Sequence, residues 1–185
     1  MSRSNLKNHK RIVVKIGSNV IASRERGLDE TRMEEIACEI SEMRRCGATL
    51  FIVSSGAILC GAKAMGLTDF PETLPMKQAA AAVGQSCLMW AYERLFIRHQ
   101  IKVAQILLTR NDLSNKNRYL NARNTLLATG YIGGTGGMAS KVATAKKVAA
   151  SGVTTLILNG TRPGMMKQAF QGEELGTLFL PKVVL

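Results

Sequence analysis

Only two histidines, one tryptophan and 5% aromatic residues occur in this 185-residue chain. Acidic side chains nearly vanish from its last 73 residues, where only Glu173 and Glu174 remain. Surfaces that read nucleic acid need dense Lys/Arg clusters, with aromatics to stack the bases of single strands. The formal charge of +12 does not supply them: residues 1–112 carry 16 basic and 11 acidic side chains, and residues 113–185 carry nine basic ones. The second part is short of acids rather than rich in bases, so no nucleic-acid partner is expected. Cys38, Cys46, Cys60 and Cys87 stand at wide, irregular spacing with only His9 and His99 as imidazole partners. That excludes a zinc pattern and a disulfide framework, and buried free thiols of a reducing compartment are expected. No apolar run approaches the roughly 18 residues of a membrane span, and MSRSNLKNHKR lacks the apolar stretch of a secretory signal. A soluble, cytoplasmic protein without a membrane partner is the expectation. What is present is a hydrophobic content of 46%, enough for one globular domain with a core and far from a disordered chain.

The pattern along the chain alternates. Residues 11–16, Arg-Ile-Val-Val-Lys-Ile, read as a buried parallel strand ending at Gly17-Ser18. A helix follows: Thr31 with Glu34 reads as a capping box, Met33, Ile36, Ile40 and Met43 repeat at helical spacing, and Gly47 ends it. A second strand over 49–53 runs into Ser54-Ser55-Gly56-Ala57 and another apolar helical stretch. Residues 76–99 read as a long helix, 101–108 as a third strand, and 117–129 as a helix closed by Gly130. Strands alternating with helices in this way predict an α/β fold, a three-layer αβα sandwich with a mainly parallel sheet. At Tyr131-Ile132 the rhythm breaks. Two residues later the chain is already in Gly133-Gly134-Thr135-Gly136-Gly137, far short of the roughly 5–6 residues of an average strand. It then resumes with a helix from Met138 to about Ala150, a strand over 154–158, a loop over 159–164 and an apolar piece over 176–180.

Three features fall at carboxyl ends of strands, where open α/β sheets bind ligands. Lys15 followed by Gly17-Ser18 suits a phosphate, since glycine lets backbone N–H groups approach; the alternative is an edge lysine reaching for water. Ser54-Ser55-Gly56-Ala57 at a strand-to-helix junction makes an anion seat or an ordinary helix cap. Residues 133–141 form a glycine-rich loop that opens a helix with Lys141 in its first turn, which suits polyphosphate or a flexible linker. Two lysines and two backbone anion seats at one sheet edge are what phosphoryl transfer needs: charge neutralisation and alignment rather than covalent chemistry.

The segments around Lys15-Ile-Gly17-Ser18, Val-Ser54-Ser55-Gly56-Ala57-Ile, Lys77-Gln78 with Gly84-Gln85-Ser86, Gln105 to Thr109, Asn121 to Thr125, Gly-Thr135-Gly136-Gly137-Met138-Ala139-Ser140-Lys141 and Gly-Thr-Leu-Phe179 carry a resemblance. In their order and over nearly the whole chain they resemble the glutamate 5-kinases, a branch of the amino acid kinase family. The resemblance implies ATP-dependent phosphorylation of the γ-carboxylate of L-glutamate, the first step of proline biosynthesis, with Mg2+ accompanying ATP. It implies that Lys15 touches the transferring phosphoryl group and that Lys141 counters charge on the leaving phosphates. Glutamate falls to Ser55, Gly56 and Ala57. ATP falls to Lys15, Gly17, Ser18 and the loop Thr135, Gly136, Gly137, Met138, Ala139, Ser140 and Lys141; no residue is assigned to a metal. Proline as a feedback inhibitor and a homo-oligomeric state are implied in the same way. A single kinase domain over 1–185, without the C-terminal PUA domain of many relatives, is expected.

One departure matters. Members of this family carry acid-rich Asn-Glu-Asn-Asp and Gly-Asp-Asn-Asp segments, then a Thr-Asp or Ser-Asp pair, before the ATP loop. Here the chain passes from Ile132 straight to that loop. The resemblance thus implies loss of an aspartate that organises the lysines and of an asparagine that helps hold glutamate. The +12 charge becomes a subtraction effect. Two readings stay open: a glutamate 5-kinase with an internal gap near 132/133, or a catalytically impaired homologue that binds glutamate or proline.

Overall fold

The computed structural model describes residues 6, 8–23, 25–109, 112, 114–129 and 138–181. Strand β1 (Arg11–Ile16) and strand β4 (Thr49–Ser54) pair in parallel, with Arg11 opposite Thr49 and Ile16 opposite Ser54. Between them lie helix α1 (Ser18–Ile21), a small antiparallel hairpin of β2 (Ala22–Ser23) and β3 (Gly27–Leu28), and helix α2 (Glu30–Arg45). Helices α3 (Ala57–Ala64) and α4 (Leu74–Ile97) follow β4. Helices α5 (Lys116–Thr129) and α6 (Met138–Ala150) come next, then β5 (Thr155–Ile157), helix α7 (Met165–Phe170) and β6 (Thr177–Phe179). β5 and β6 pair antiparallel.

The α/β expectation holds, and the reasons are local. β-branched residues fill β1, and their alternation sends Val14 and Ile16 inward while Val13 stays 60% exposed on the face shared with Lys15. In α2 the stripe of Met33, Ile36, Ala37, Ile40 and Met43 is buried, and α4 contributes Leu88, Ala91, Tyr92, Leu95 and Phe96 to the same core. Each such large side chain adds about 1.5–3 kcal/mol when fully buried. Two charged residues on the buried side of α2 do different work. Arg32 donates from Nε and Nη2 to the Gly160 carbonyl at 2.9 and 2.6 Å and from Nη2 to the Arg162 carbonyl at 3.1 Å. The Glu39 carboxylate accepts from the backbone N–H groups of Gly164, Met166 and Lys167, so it caps α7 from across the fold.

Several expectations need correction. The cap of α2 is Asp29, whose carboxylate accepts from the Arg32 N–H at 2.9 Å. Thr31 therefore lies inside the helix, and Glu34 pairs with Arg98 rather than closing a capping box. Residues 101–108 form no strand. Ile101 and Val103 pack on the core and exposure roughly alternates, but no neighbouring backbone among the described residues offers a ladder, and periodicity without a partner is not a strand. Of the four thiols only Cys60 is buried; Cys87 is half-buried, Cys38 lies off the apolar stripe of α2 and Cys46 just past its end, both exposed. The hairpin over 22–28 and α7 were not expected at all. The expectations for Gly130, Tyr131-Ile132 and 133–137 lie outside the described residues.

Candidate functional site

Because β1 and β4 are parallel and in register, their carboxyl ends lie side by side, Ile16 beside Ser54. Each then turns at once into a helix. After β1, Gly17 precedes α1 and its carbonyl accepts from the Val20 N–H at 3.0 Å. After β4, Ser55 and Gly56 lead into α3, and Gly56 at φ 119° takes a backbone conformation that suits glycine. The N–H groups of the first turn of α3 have no partner inside the helix, so the junction presents donors and a positive dipole end. The Ser55 hydroxyl donates to the Ile16 carbonyl at 3.1 Å, stitching the two strand ends together. Ser54 Oγ lies 2.7 Å from the hydroxyl of Tyr92 on α4.

Lys141, in the first turn of α6, reaches this edge. A Cβ built on Gly17 would stand 3.8 Å from Lys141 Nζ, so the ammonium lies over the backbone that follows β1. Lys15 is close enough to feel it: burial and the neighbouring Lys141 charge together lower the Lys15 pKa below its ordinary 10.5. Neither lysine is ion-paired among the described residues. Two cations this close, with backbone donors nearby, concentrate positive charge at one edge, an arrangement whose chemistry suits a multiply charged anion. Thus Lys15, Gly17, Ser18, Ser55, Gly56, Ala57 and Lys141 come together at one edge. Met138, Ala139 and Ser140 open α6 in backbone; Thr135, Gly136 and Gly137 lie outside the described residues.

Two features of the site escaped the sequence. The first is the crossing of α3 on α4: a Cβ on Gly61 would fall 1.7 Å from the Ala80 carbonyl oxygen, and one on Gly84 1.8 Å from that of Ala57. Backbone meets backbone there, which fixes how far Ala57 stands from α4. Glycines 61 and 84 amid alanines were the available signal. The second is Tyr92, whose buried hydroxyl was hidden among apolar neighbours. The described residues include no group of three His, Cys, Asp or Glu that could hold a metal.

The model of the amino acid kinase family matches residues 10–133, about two thirds of the chain. The chain belongs to the amino acid kinase family. It is similar to a glutamate 5-kinase of Geobacter metallireducens, 37% identical over 257 residues that take in 95% of this chain and 69% of the relative. The glutamate 5-kinase of Citrifermentans bemidjiense is 37% identical over 262 residues, 98% of this chain and 70% of that one. That of Dehalococcoides mccartyi is 46% identical over 125 residues, 68% of this chain and 34% of the relative. Since 95% of this chain is about 176 residues, about 81 positions of the 257 aligned with the Geobacter protein meet no residue here. The family match ends at residue 133, beside the break in the alternation of strands and helices.

Proposed function

We propose that this chain is a glutamate 5-kinase, transferring the γ-phosphoryl group of ATP to the γ-carboxylate of L-glutamate. The observation that carries this is the meeting of Lys15, Lys141 and the backbone after β1 with the amino end of α3, in a chain whose relatives are glutamate 5-kinases. Lys15 faces the transferring group, Lys141 the β- and γ-phosphates, and Ser55 with the Gly56-Ala57 backbone orients glutamate. A carboxylate oxygen attacks phosphorus, the bond from the γ-phosphorus to the β,γ-bridging oxygen breaks, and ADP leaves with that oxygen's electron pair. The nucleophile is already ionised at neutral pH, so the step needs no general base. In this reading each lysine offsets negative charge on the phosphates during transfer. Magnesium would accompany the nucleotide and soften charge on its phosphates, with no protein ligand assigned. A cytoplasmic setting, inhibition by proline and self-association belong to the same reading.

A second reading has its own support: about 81 aligned positions are absent here, and neither lysine has an acidic partner among the described residues. Uncompensated cations oppose closure, so catalysis by this chain is expected to be weak. Coupled measurement of ADP release with L-glutamate and Mg-ATP tests both. Slow, glutamate-dependent release abolished by Lys15→Met supports the kinase. Glutamate binding by calorimetry without turnover supports the binding protein, and release indifferent to both glutamate and Lys15→Met refutes the site.

A further inference from the structure

None of the proposed chemistry uses Tyr92, yet this side chain touches the site at a particular place. It is 3% exposed, stacked near-parallel to Phe96 with ring centroids 6.3 Å apart. Its oxygen meets Ser54 Oγ at 2.7 Å, a bond in which either hydroxyl can donate. Ser54 is the last residue of β4 and directly precedes Ser55, Gly56 and Ala57. We propose that Tyr92 is a positioning residue that acts through Ser54 to set the turn over 55–57, a role that rests on the glutamate-binding reading of that turn.

The turn is held from several sides, and Tyr92 supplies a distinct one. Toward β1 the Ser55 hydroxyl grips the Ile16 carbonyl at 3.1 Å. Toward α4 the body of α3 is fixed by the backbone contacts at Gly61 and Gly84. The phenol ties Ser54, at the strand tip just before the turn, to α4. Helix α4 thereby locates both the strand end and the helix start, and with them the spacing of the N–H donors offered to a carboxylate. Losing the phenolic oxygen leaves the ring and the helix crossing in place. Ser54 then keeps only its long 3.4 Å approach to the Ser55 carbonyl.

Tyr92→Phe, Ser54→Ala and the double variant of the full chain test this, by hydrogen exchange and by calorimetry with L-glutamate and with ATP. Tyr92→Phe is expected to speed exchange of amides 55–58 about fivefold relative to those of α2, the worth of one net hydrogen bond. Glutamate affinity is expected to fall about as much with ATP affinity unchanged, and the double variant to add nothing to either single one. Unchanged exchange at 55–58, an equal loss for ATP, or additive single variants would overturn the proposal. A wild-type chain that fails to bind glutamate overturns the glutamate reading instead, and the exchange comparison still decides whether Tyr92 holds the turn.

Discussion

Gly84→Ala puts one methyl group where α4 meets the first turn of α3. The new Cβ would fall 1.8 Å from the Ala57 carbonyl oxygen and 2.4 Å from the Gly61 nitrogen, both backbone atoms that no rotamer change can move. Ordinary carbon–oxygen contact lies near 3.4 Å, so the helices must part by about 1.5 Å; overpacking of this kind costs about 3 kcal/mol, the upper end of its usual range. For a chain of this size that corresponds to a melting point lower by roughly 6–12 °C. The displacement falls on Ala57, at the helix start assigned to glutamate, and a misplacement of about 1 Å costs on the order of 100-fold in a positioned site. Thermal unfolding by circular dichroism gives the first quantity, and glutamate-dependent ADP release per folded molecule gives the second, with calorimetry as the check on binding. Ala82→Ser, at an exposed position of the same helix, is the control and should shift stability by no more than about 0.5 kcal/mol. If Gly84→Ala melts within 2 °C of wild type and binds glutamate equally, the close crossing does not hold the site.

Arg32→Met strips three donated bonds from the Gly160 and Arg162 carbonyls, and urea unfolding should show a loss of about 3 kcal/mol; a change under about 0.5 kcal/mol would contradict the clasp. The lowered Lys15 pKa means the folded state releases that proton first. Stability should therefore rise with pH through the alkaline window below 10.5, and Lys15→Met should remove the rise. Lys141→Met should move the Lys15 titration upward by NMR, and an unmoved titration would separate the two amines. With Ellman's reagent at about pH 8, exposed Cys38 and Cys46 should react first, whereas Cys60 should lag because burial, and then Cys87, push its thiol up to about 11.

Strand β1 and helices α2, α4, α5 and α6 were legible because their apolar spacing and end signals act over a few residues. Cys38 was expected to be buried and is exposed, because position 38 misses the stripe of 33, 36, 37, 40 and 43. The strand over 101–108 failed for a non-local reason: alternation is a property of the segment, a ladder is a property of its neighbour. The cap at Asp29 lost to Thr31 in the sequence because both are good caps and only the backbone decides between them. At the site, Lys15 and Lys141 could be named from strand-end glycines and expected at one sheet edge, but the reach of Lys141 over the Gly17 backbone could not, being set by how α6 returns to β1. Tyr92 reads as one more apolar residue on α4 until its hydroxyl is seen against Ser54.

The grip of Arg32 and Glu39 on residues 160–167 spans 125 positions or more of chain, from a helix near the beginning to a turn near the end. A loop so fastened is thermodynamically indifferent to how much it encloses. Lengthening it from about 125 to about 206 residues raises the closure cost by only ~0.4 kcal/mol, because that cost grows as a logarithm. Excision or restoration of a block between the halves would thus change the cost of closing this grip very little, and its effect on the fold would come from the contacts the block makes rather than from its length.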